Sequence, residues 1–182
     1  VEGTVAAALA AFEQTIKQAG LTLEEVVNLT AGAAAAKSID FTMIARVRSA
    51  VAAAKIPAMM SAVSQHEHER EPLVIFSSHR APVNHLRDRD GWGVVTGEDS
   101  TKHREETIAA FKRGDLKGVA LTIKACGVAL DLTRASRALF VDRDWVPANN
   151  AQAEARLQRL GQKSNVMVTN LVCDHSVDVH VT

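Results

Sequence analysis

Two rhythms of apolar and polar positions divide the chain. Up to about residue 71 alanine dominates, and apolar residues return at helical spacing, as in Val5, Leu9, Phe12, Ile16 and Ala19, with Gly20 placed to end that helix. A second helix is expected from about Phe41 to Ala54, and another after Pro57, a residue well tolerated in a first helical turn. The run Gln65-His66-Glu67-His68-Glu69-Arg70-Glu71 reads as a charged connector. Beyond Pro72 short apolar runs alternate with helical segments. Leu73 to Phe76, Gly93 to Val95, Val119 to Ile123, Ala138 to Val141 and Val166 to Val172 read as strands. Pro82 to Arg87, Lys102 to Arg113 and Asn149 to Leu160 read as helices, the last two stopped by Gly114 and Gly161. Strand and helix in turn predict an α/β fold with a mostly parallel central sheet flanked by helices. The expected organisation is an α-helical extension over 1–71 and an α/β domain over 72–182. Ligands of such sheets gather at the carboxyl ends of the strands, where the Thr122 to Asp131 loop and the approach to Trp145 fall.

Composition narrows the picture. A chain of 182 residues with 47% hydrophobic content can build one sizeable core. Lys+Arg and Asp+Glu both number 21, so there is no global basic field and any nucleic-acid contact must be local. Cys126 and Cys173 stand far apart in no CxxC arrangement, as reduced, packed thiols of an intracellular protein do. No apolar run approaches bilayer length and no signal-peptide pattern is present, although the chain begins at Val1 rather than Met, as a trimmed piece of something longer would. His66 and His68 lack matched ligands at metal spacing, so no metal site is expected.

Ala31-Gly32-Ala33-Ala34-Ala35-Ala36-Lys37-Ser38 is one residue away from a phosphate-binding P-loop, with Ala36 where the glycine must be. A self-contained P-loop nucleoside triphosphatase would need Lys37 and Asp142, the latter ending an apolar strand as a magnesium-holding acid does. Ala138 to Asp142 fits better as the strand leading into Gln152-Ala153-Glu154-Ala155-Arg156-Leu157-Gln158-Arg159-Leu160-Gly161-Gln162. On a helix, Gln152, Arg156 and Arg159 share a face. Two guanidinium groups beside an amide can grip a phosphate whose charge spreads during transfer. The same spacing also occurs on solvated helix faces.

Three ordered segments carry a resemblance. Leu121-Thr122-Ile123-Lys124-Ala125-Cys126-Gly127-Val128-Ala129-Leu130-Asp131-Leu132, then Ala138 to Pro147 with Trp145-Val146-Pro147, then Gln152 to Gln162, resemble the second motor lobe of Swi/Snf-type DNA translocases of helicase superfamily two. The family pattern runs Ser-Thr-Arg-Ala-Gly-Gly-Val-Gly-Leu-Asn-Leu, an apolar strand, Trp-Asn-Pro, and Gln-Ala-x-x-Arg-x-His-Arg-Ile-Gly-Gln. The resemblance covers about Phe41 to Asp178 and is strongest from Val119 to Gln162. Ile123, Lys124, Cys126, Ala129, Asp131 and Gln158 depart from the pattern. A similar Ser-Ile loop and Gln-Ala-Glu opening point to the branch that includes the annealing helicases.

The resemblance implies a RecA-like lobe that is half an engine. Arg159 and Arg156 would be arginine fingers reaching ATP and magnesium held by a first lobe, with Gln152, Gly127 and Asp131 beside the nucleotide. Ser78, His79, Arg80, Thr96, Thr122, Lys124 and Trp145 would contact double-stranded or branched DNA, and Arg104, Ile108 and Phe111 match a helix of the family in which the last two are core. It implies an intracellular place, at the nucleoid in a prokaryotic or viral source and in the nucleus in a eukaryotic one. The chain ends soon after Val177-Asp178, before the family's closing helix. The alternative reading is a degenerate lobe kept as a non-catalytic interaction or regulatory module.

Overall fold

The computed structural model describes residues 41–127 and 130–173, with positions 10, 14 and 17. The helix expected from Val5 to Gly20, the near-P-loop at Ala31 to Ser38 and the Val177-Asp178 segment fall outside these residues.

Two helices lead into the sheet, α1 (Phe41–Ala54) and α2 (Ile56–Glu69), with Pro57 in the first turn of α2. The stretch read as a charged connector is instead helical as far as Glu69, forming the end of α2, with Arg70 and Glu71 leading out of it. Met59, Val63 and Glu67 stand at i, i+4 and i+8 on one face, the first two fully buried. Glu67 continues that inward stripe by accepting from Arg89 Nε and Nη2 at 2.9 and 2.6 Å and from Trp92 Nε1 at 2.8 Å. The helix ends where Arg70 takes a left-handed φ of 59° and its N–H returns to the carbonyls of His66 and Glu67.

The sheet has five parallel strands: β1 (Leu73–Ser77), β2 (Trp92–Val95), β3 (Gly118–Thr122), β4 (Arg137–Phe140) and β5 (Met167–Asn170), in the order β2-β3-β1-β4-β5. Between them lie α3 (Arg80–Asn84), α4 (Thr101–Arg113) and α5 (Pro147–Glu154). The Ser100 hydroxyl caps α4 by accepting from His103 N at 3.1 Å, and Gly114 ends it at φ 95°. The expected helix over Pro82 to Arg87 begins two residues earlier and lasts five residues before turns carry the chain to β2.

Alternation along the strands splits the core in two. Val74, Phe76, Val119, Leu121, Ala138 and Phe140 pack with Ile108 and Phe111 of α4 and Ala153 of α5. Leu73, Ile75, Ala120 and Leu139 pack with Met59 and Val63 of α2 and Val83 of α3. The chain therefore leaves β1 toward one face and β4 toward the other. Their carboxyl ends part around a crevice, the place where open parallel sheets bind ligands.

The joint between α1 and α2 is tied to this edge. Lys55, only 4% exposed, donates to Val141 O at 2.9 Å and to Leu171 O at 2.6 Å, just past β4 and β5. At the opposite end of the sheet, a Cβ on Gly118 would meet Trp92 Cη2 at 2.5 Å and Leu73 O at 2.8 Å, so only glycine allows the indole to cross there.

Candidate nucleotide and nucleic-acid interface

At the crevice, Asp142 just past β4 gathers the β1–α3 loop. The Ser77 hydroxyl bonds its Oδ1, Ser78 N donates to Oδ2 at 3.2 Å, and His79 Nδ1 lies 2.7 Å from Oδ2. The Ser77 oxygen also accepts from His79 N at 3.0 Å. Arg80, exposed on the first turn of α3, pairs with Glu98. Ser78, His79 and Arg80 are thus brought together at the crevice, with the Ser78 amide turned to Asp142.

Thr96, past β2, is buried and points elsewhere. Its hydroxyl and amide donate to Asp99 Oδ2 at 2.8 and 2.7 Å. Burial pushes the Asp99 carboxyl up, but Arg87 and Thr96 outweigh it and hold it below the ordinary carboxylate range. Thr96 spends its hydrogen on this turn.

Past β3 the chain tightens into a 3-10 turn over Ile123–Gly127. Thr122, Ile123, Ala125 and Cys126 are buried, while Lys124 is exposed. Desolvation pushes the Cys126 thiol up to about 12, against the opposing pull of Arg156 and Arg104. Further on, Asp131 Oδ2 accepts from Lys112 Nζ at 2.6 Å, and its Oδ1 accepts from Thr133 N and Oγ1 at 3.1 and 2.7 Å. The Lys112 bond and then the Thr133 bonds hold its carboxyl near 2.

The approach to Trp145 is built by a reciprocal clamp. Asp144 N donates to Asn150 Oδ1 and Asn150 Nδ2 donates to Asp144 O, both at 2.8 Å, and both residues are buried. Asp144 Oδ1 accepts from Val146 N at 2.9 Å and Asn149 Nδ2 at 3.2 Å. Trp145 is half-buried, with the Arg48 guanidinium of α1 4.9 Å from its ring centroid. Arg48 also donates to Arg143 O.

The arginine segment departs from its expected geometry. Gln152 is exposed on α5, but the helix stops at Glu154, and Arg156 and Leu157 already bond three residues back, to Ala153 and Glu154. The tightening carries Leu157 fully into the core. Gln152, Arg156 and Arg159 therefore do not share one helical face. Side chains lace the segment onto the β3 loop and the stretch beyond that loop. Arg156 Nε donates to Cys126 O at 3.1 Å, Arg159 Nη1 to Leu130 O at 3.2 Å, and Gln162 Nε2 to Ala135 O at 2.9 Å. Gly161, at φ 111°, ends these turns rather than the helix.

Residues 54–161 match the helicase conserved C-terminal domain. The chain belongs to that family. It is 31% identical over 116 residues to the Drosophila melanogaster SWI/SNF-related matrix-associated actin-dependent regulator of chromatin subfamily A-like protein 1, covering 60% of this chain and 15% of that protein. It is 32% identical over 127 residues to the Bos taurus DNA excision repair protein ERCC-6-like, covering 66% of this chain and 10% of that protein. The chain thus spans less than a fifth of either relative. Among solved structures, the C-terminal part of the Fun30 ATPase domain superposes with a TM-score of 0.62 at 24% identity, over 70% of this chain and 43% of that one. The Sulfolobus solfataricus SWI2/SNF2 ATPase core domain does so at 0.63 and 19% identity, over 94% and 37%. The fold is RecA-like, and the chain is a helicase C-terminal lobe whose relatives include Swi/Snf-related proteins.

Several residues that shape this lobe's edge escaped the sequence reading. Asn150 carried a signal, since the Asn149-Asn150 pair sits in an otherwise alanine-rich first turn after Pro147. Arg48 and Lys55, seven apart on the lead-in, carried a weaker one: two turns of helix bring them to one side. Lys112 carried none, being one of several exposed cations on α4. Among the described residues no helix is long and apolar enough to cross a membrane. His66, Glu69 and Glu71 place ligand atoms within 4.8 Å of one another. Glu69 accepts from Gln65 and Glu71 pairs with Arg137.

Proposed function

We propose that this lobe is the second half of an ATP-dependent double-stranded DNA translocase, of the annealing-helicase branch, and that Arg159 and Arg156 bring positive charge to ATP held by a first lobe. The observation that carries the reading is the lacing of the arginine segment to the carbonyls of Cys126, Leu130 and Ala135. Guanidinium groups act on a developing phosphate charge only when held in place, and these bonds hold both by one N–H each, Arg156 through Nε and Arg159 through Nη1. Gln152, Gly127 and Asp131 lie toward the nucleotide side. The lobe proper starts at about residue 72, and α1 and α2 form its helical lead-in.

Magnesium comes with the ATP and the first lobe. Both acids at the end of β4 are already engaged, Asp142 by Ser77, Ser78 and His79, and Asp144 by Val146 and Asn149. On the DNA side, Ser78, His79, Arg80, Lys124 and Trp145 meet the backbone, while the buried Thr96 and Thr122 shape the loops that present them. The departures at Ile123 and Cys126 pack into the core, which supports a working motor over a degenerate interaction module.

The test is turnover. This chain alone should hydrolyse ATP negligibly with or without duplex DNA, and DNA-stimulated hydrolysis should appear only in the protein that carries both lobes. Robust turnover from these 182 residues by themselves would overturn the two-lobe reading.

A further inference from the structure

A cavity of about 290 Å³ opens at the amino edge of the sheet, away from the crevice, between the ends of α2 and α4. Pro72, Trp92 and Leu116 give it apolar wall, and Arg70, Lys117 and Arg134 give it charge. Glu67, Glu71 and Asp115 line it too, but each is covered by a cation standing outside it, Arg89, Arg137 and Arg113 in turn. The lining cations have no such cover. Arg134 donates to Leu116 O at 2.7 Å and lies over the Phe111 ring, 5.0 Å from its centroid, so it is fixed in place without a carboxylate. Lys117 reaches only Asp90, a fully exposed acid 3.4 Å away. Arg70 meets no acid among the described residues, and its side chain makes no hydrogen bond there. Arg70 is also the one non-glycine residue among those described with a positive φ, 59°. It closes α2 where glycine would do so at lower cost, and residues held in such sparsely populated conformations gather at ligand clamps. His66 lines the same cavity, but its Nδ1 is buried against Glu71, 3.8 Å from Oε2, and is closed to a ligand.

We propose that this cavity is an anion site on the edge of the sheet away from the motor crevice, in which Arg70, Arg134 and Lys117 take one compact oxyanion, a phosphate or a carboxylate group. Guanidinium forks match both groups with paired N–H donors. At about 290 Å³ the space falls just below the roughly 300 to 1,000 Å³ of drug-sized sites, so it admits one such group with a short apolar stem against Trp92 and Leu116. Helix ends repel anions through their bare carbonyls, but here those carbonyls are capped. Arg70 N and Glu71 N bond the carbonyls of Glu67 and His66, and Gly114 N and Asp115 N bond those of Phe111 and Ala110. An occupant ties the end of α2 to the start of β3 and so steadies the lead-in. The inference goes beyond the motor reading and does not depend on it.

The test is a titration of this chain with inorganic phosphate, and separately with succinate, at constant ionic strength. It is followed by nitrogen-15 NMR at the Trp92 indole N–H and at the Leu116 and Lys117 amides. At least one anion should move these signals to saturation with a dissociation constant on the order of 1 mM. Saturation by phosphate alone would support a phosphorylated ligand, and by succinate alone a carboxylate. Shifts that merely accompany added salt and never saturate with either anion would overturn the site. Arg70→Gly should weaken binding roughly tenfold or more while leaving the urea midpoint unchanged or raised, because glycine accepts the left-handed cap. Binding that survives this substitution would count against the proposal. A lowered midpoint would count against it too, since the side chain would then serve the fold. Lys117→Gln, at an exposed side chain, should weaken binding several-fold, and undiminished affinity there would remove Lys117 from the cradle and overturn the three-cation site.

Discussion

Arg156 Nε donates to the carbonyl of Cys126 at 3.1 Å, 30 residues earlier in the chain. The bond makes the arginine segment report on the turn past β3, since any shift of that turn moves the carbonyl that steadies the guanidinium. Nε is one of five N–H groups in the fork. The terminal nitrogens of Arg156 carry no other hydrogen bond among the described residues, so one side chain can hold the loop and still face a phosphate.

Arg159→Ala in the two-lobe protein should lower ATP turnover by about a thousandfold or more while leaving nucleotide affinity within a few-fold. Steady-state hydrolysis and a fluorescent-nucleotide titration check this. Lost affinity with intact turnover at saturation would contradict a finger role.

Glu67 ties α2 to Arg89 and Trp92, and its carboxyl is lowered from 4.5 to about 2, chiefly by the Arg89 bond. A carboxyl depressed in the folded state stabilises it above the unfolded value and loses that contribution as pH falls through the folded one. Wild type should therefore exceed Glu67→Gln by about 2 kcal/mol at neutral pH. The two should converge between pH 4.5 and about 2. Urea midpoints taken across that range would expose a flat difference if the assignment were wrong.

Gly118→Ala drives a Cβ into Trp92 and the Leu73 carbonyl and should cost about 1 to 3 kcal/mol, whereas Gly97→Ala, with nothing within 4 Å of its Cβ, should be close to neutral. Equilibrium denaturation of the pair gives the comparison. Similar stabilities would mean that the indole yields freely.

Cys126 is fully buried with its thiol pushed up to about 12. In the native chain near pH 8 it should resist a disulfide reagent for as long as the fold lasts and react promptly in denaturant, since the thiolate is the nucleophile. Mass mapping of the modified cysteines distinguishes it from Cys173.

Much of this architecture was open to reading along the chain, for physical reasons that differ by element. Leu73 to Ser77 is buried on both faces, so its unbroken apolar run marks a central parallel strand. Gly114 stops α4 because only glycine takes φ 95° cheaply. Periodicity misled where a polar residue took an inward position. Glu67 occupies a core-facing rung and looks like connector, because its partners Arg89 and Trp92 lie 22 and 25 residues away. The end of α5 was hidden for a related reason. Leu157 keeps the helical register of an apolar face, yet its burial is reached by tightened turns that separate Arg156 from Gln152. The family motif located the arginines but not the carbonyls that hold them. Asp142 acquires its meaning only when β4 pairs with β1 and brings Ser77, 65 positions earlier, beside it.

The Lys55 ammonium sits beneath the sheet's carboxyl edge with Val141 and Leu171 for acceptors. A protein engineer who cut the chain at Pro72 would remove that cation together with the apolar floor that Met59 and Val63 give to β1. The piece left would carry every motif and lack part of its foundation. The smallest unit fit for transplanting into another motor should accordingly start no later than Lys55, with the whole of α2 behind it.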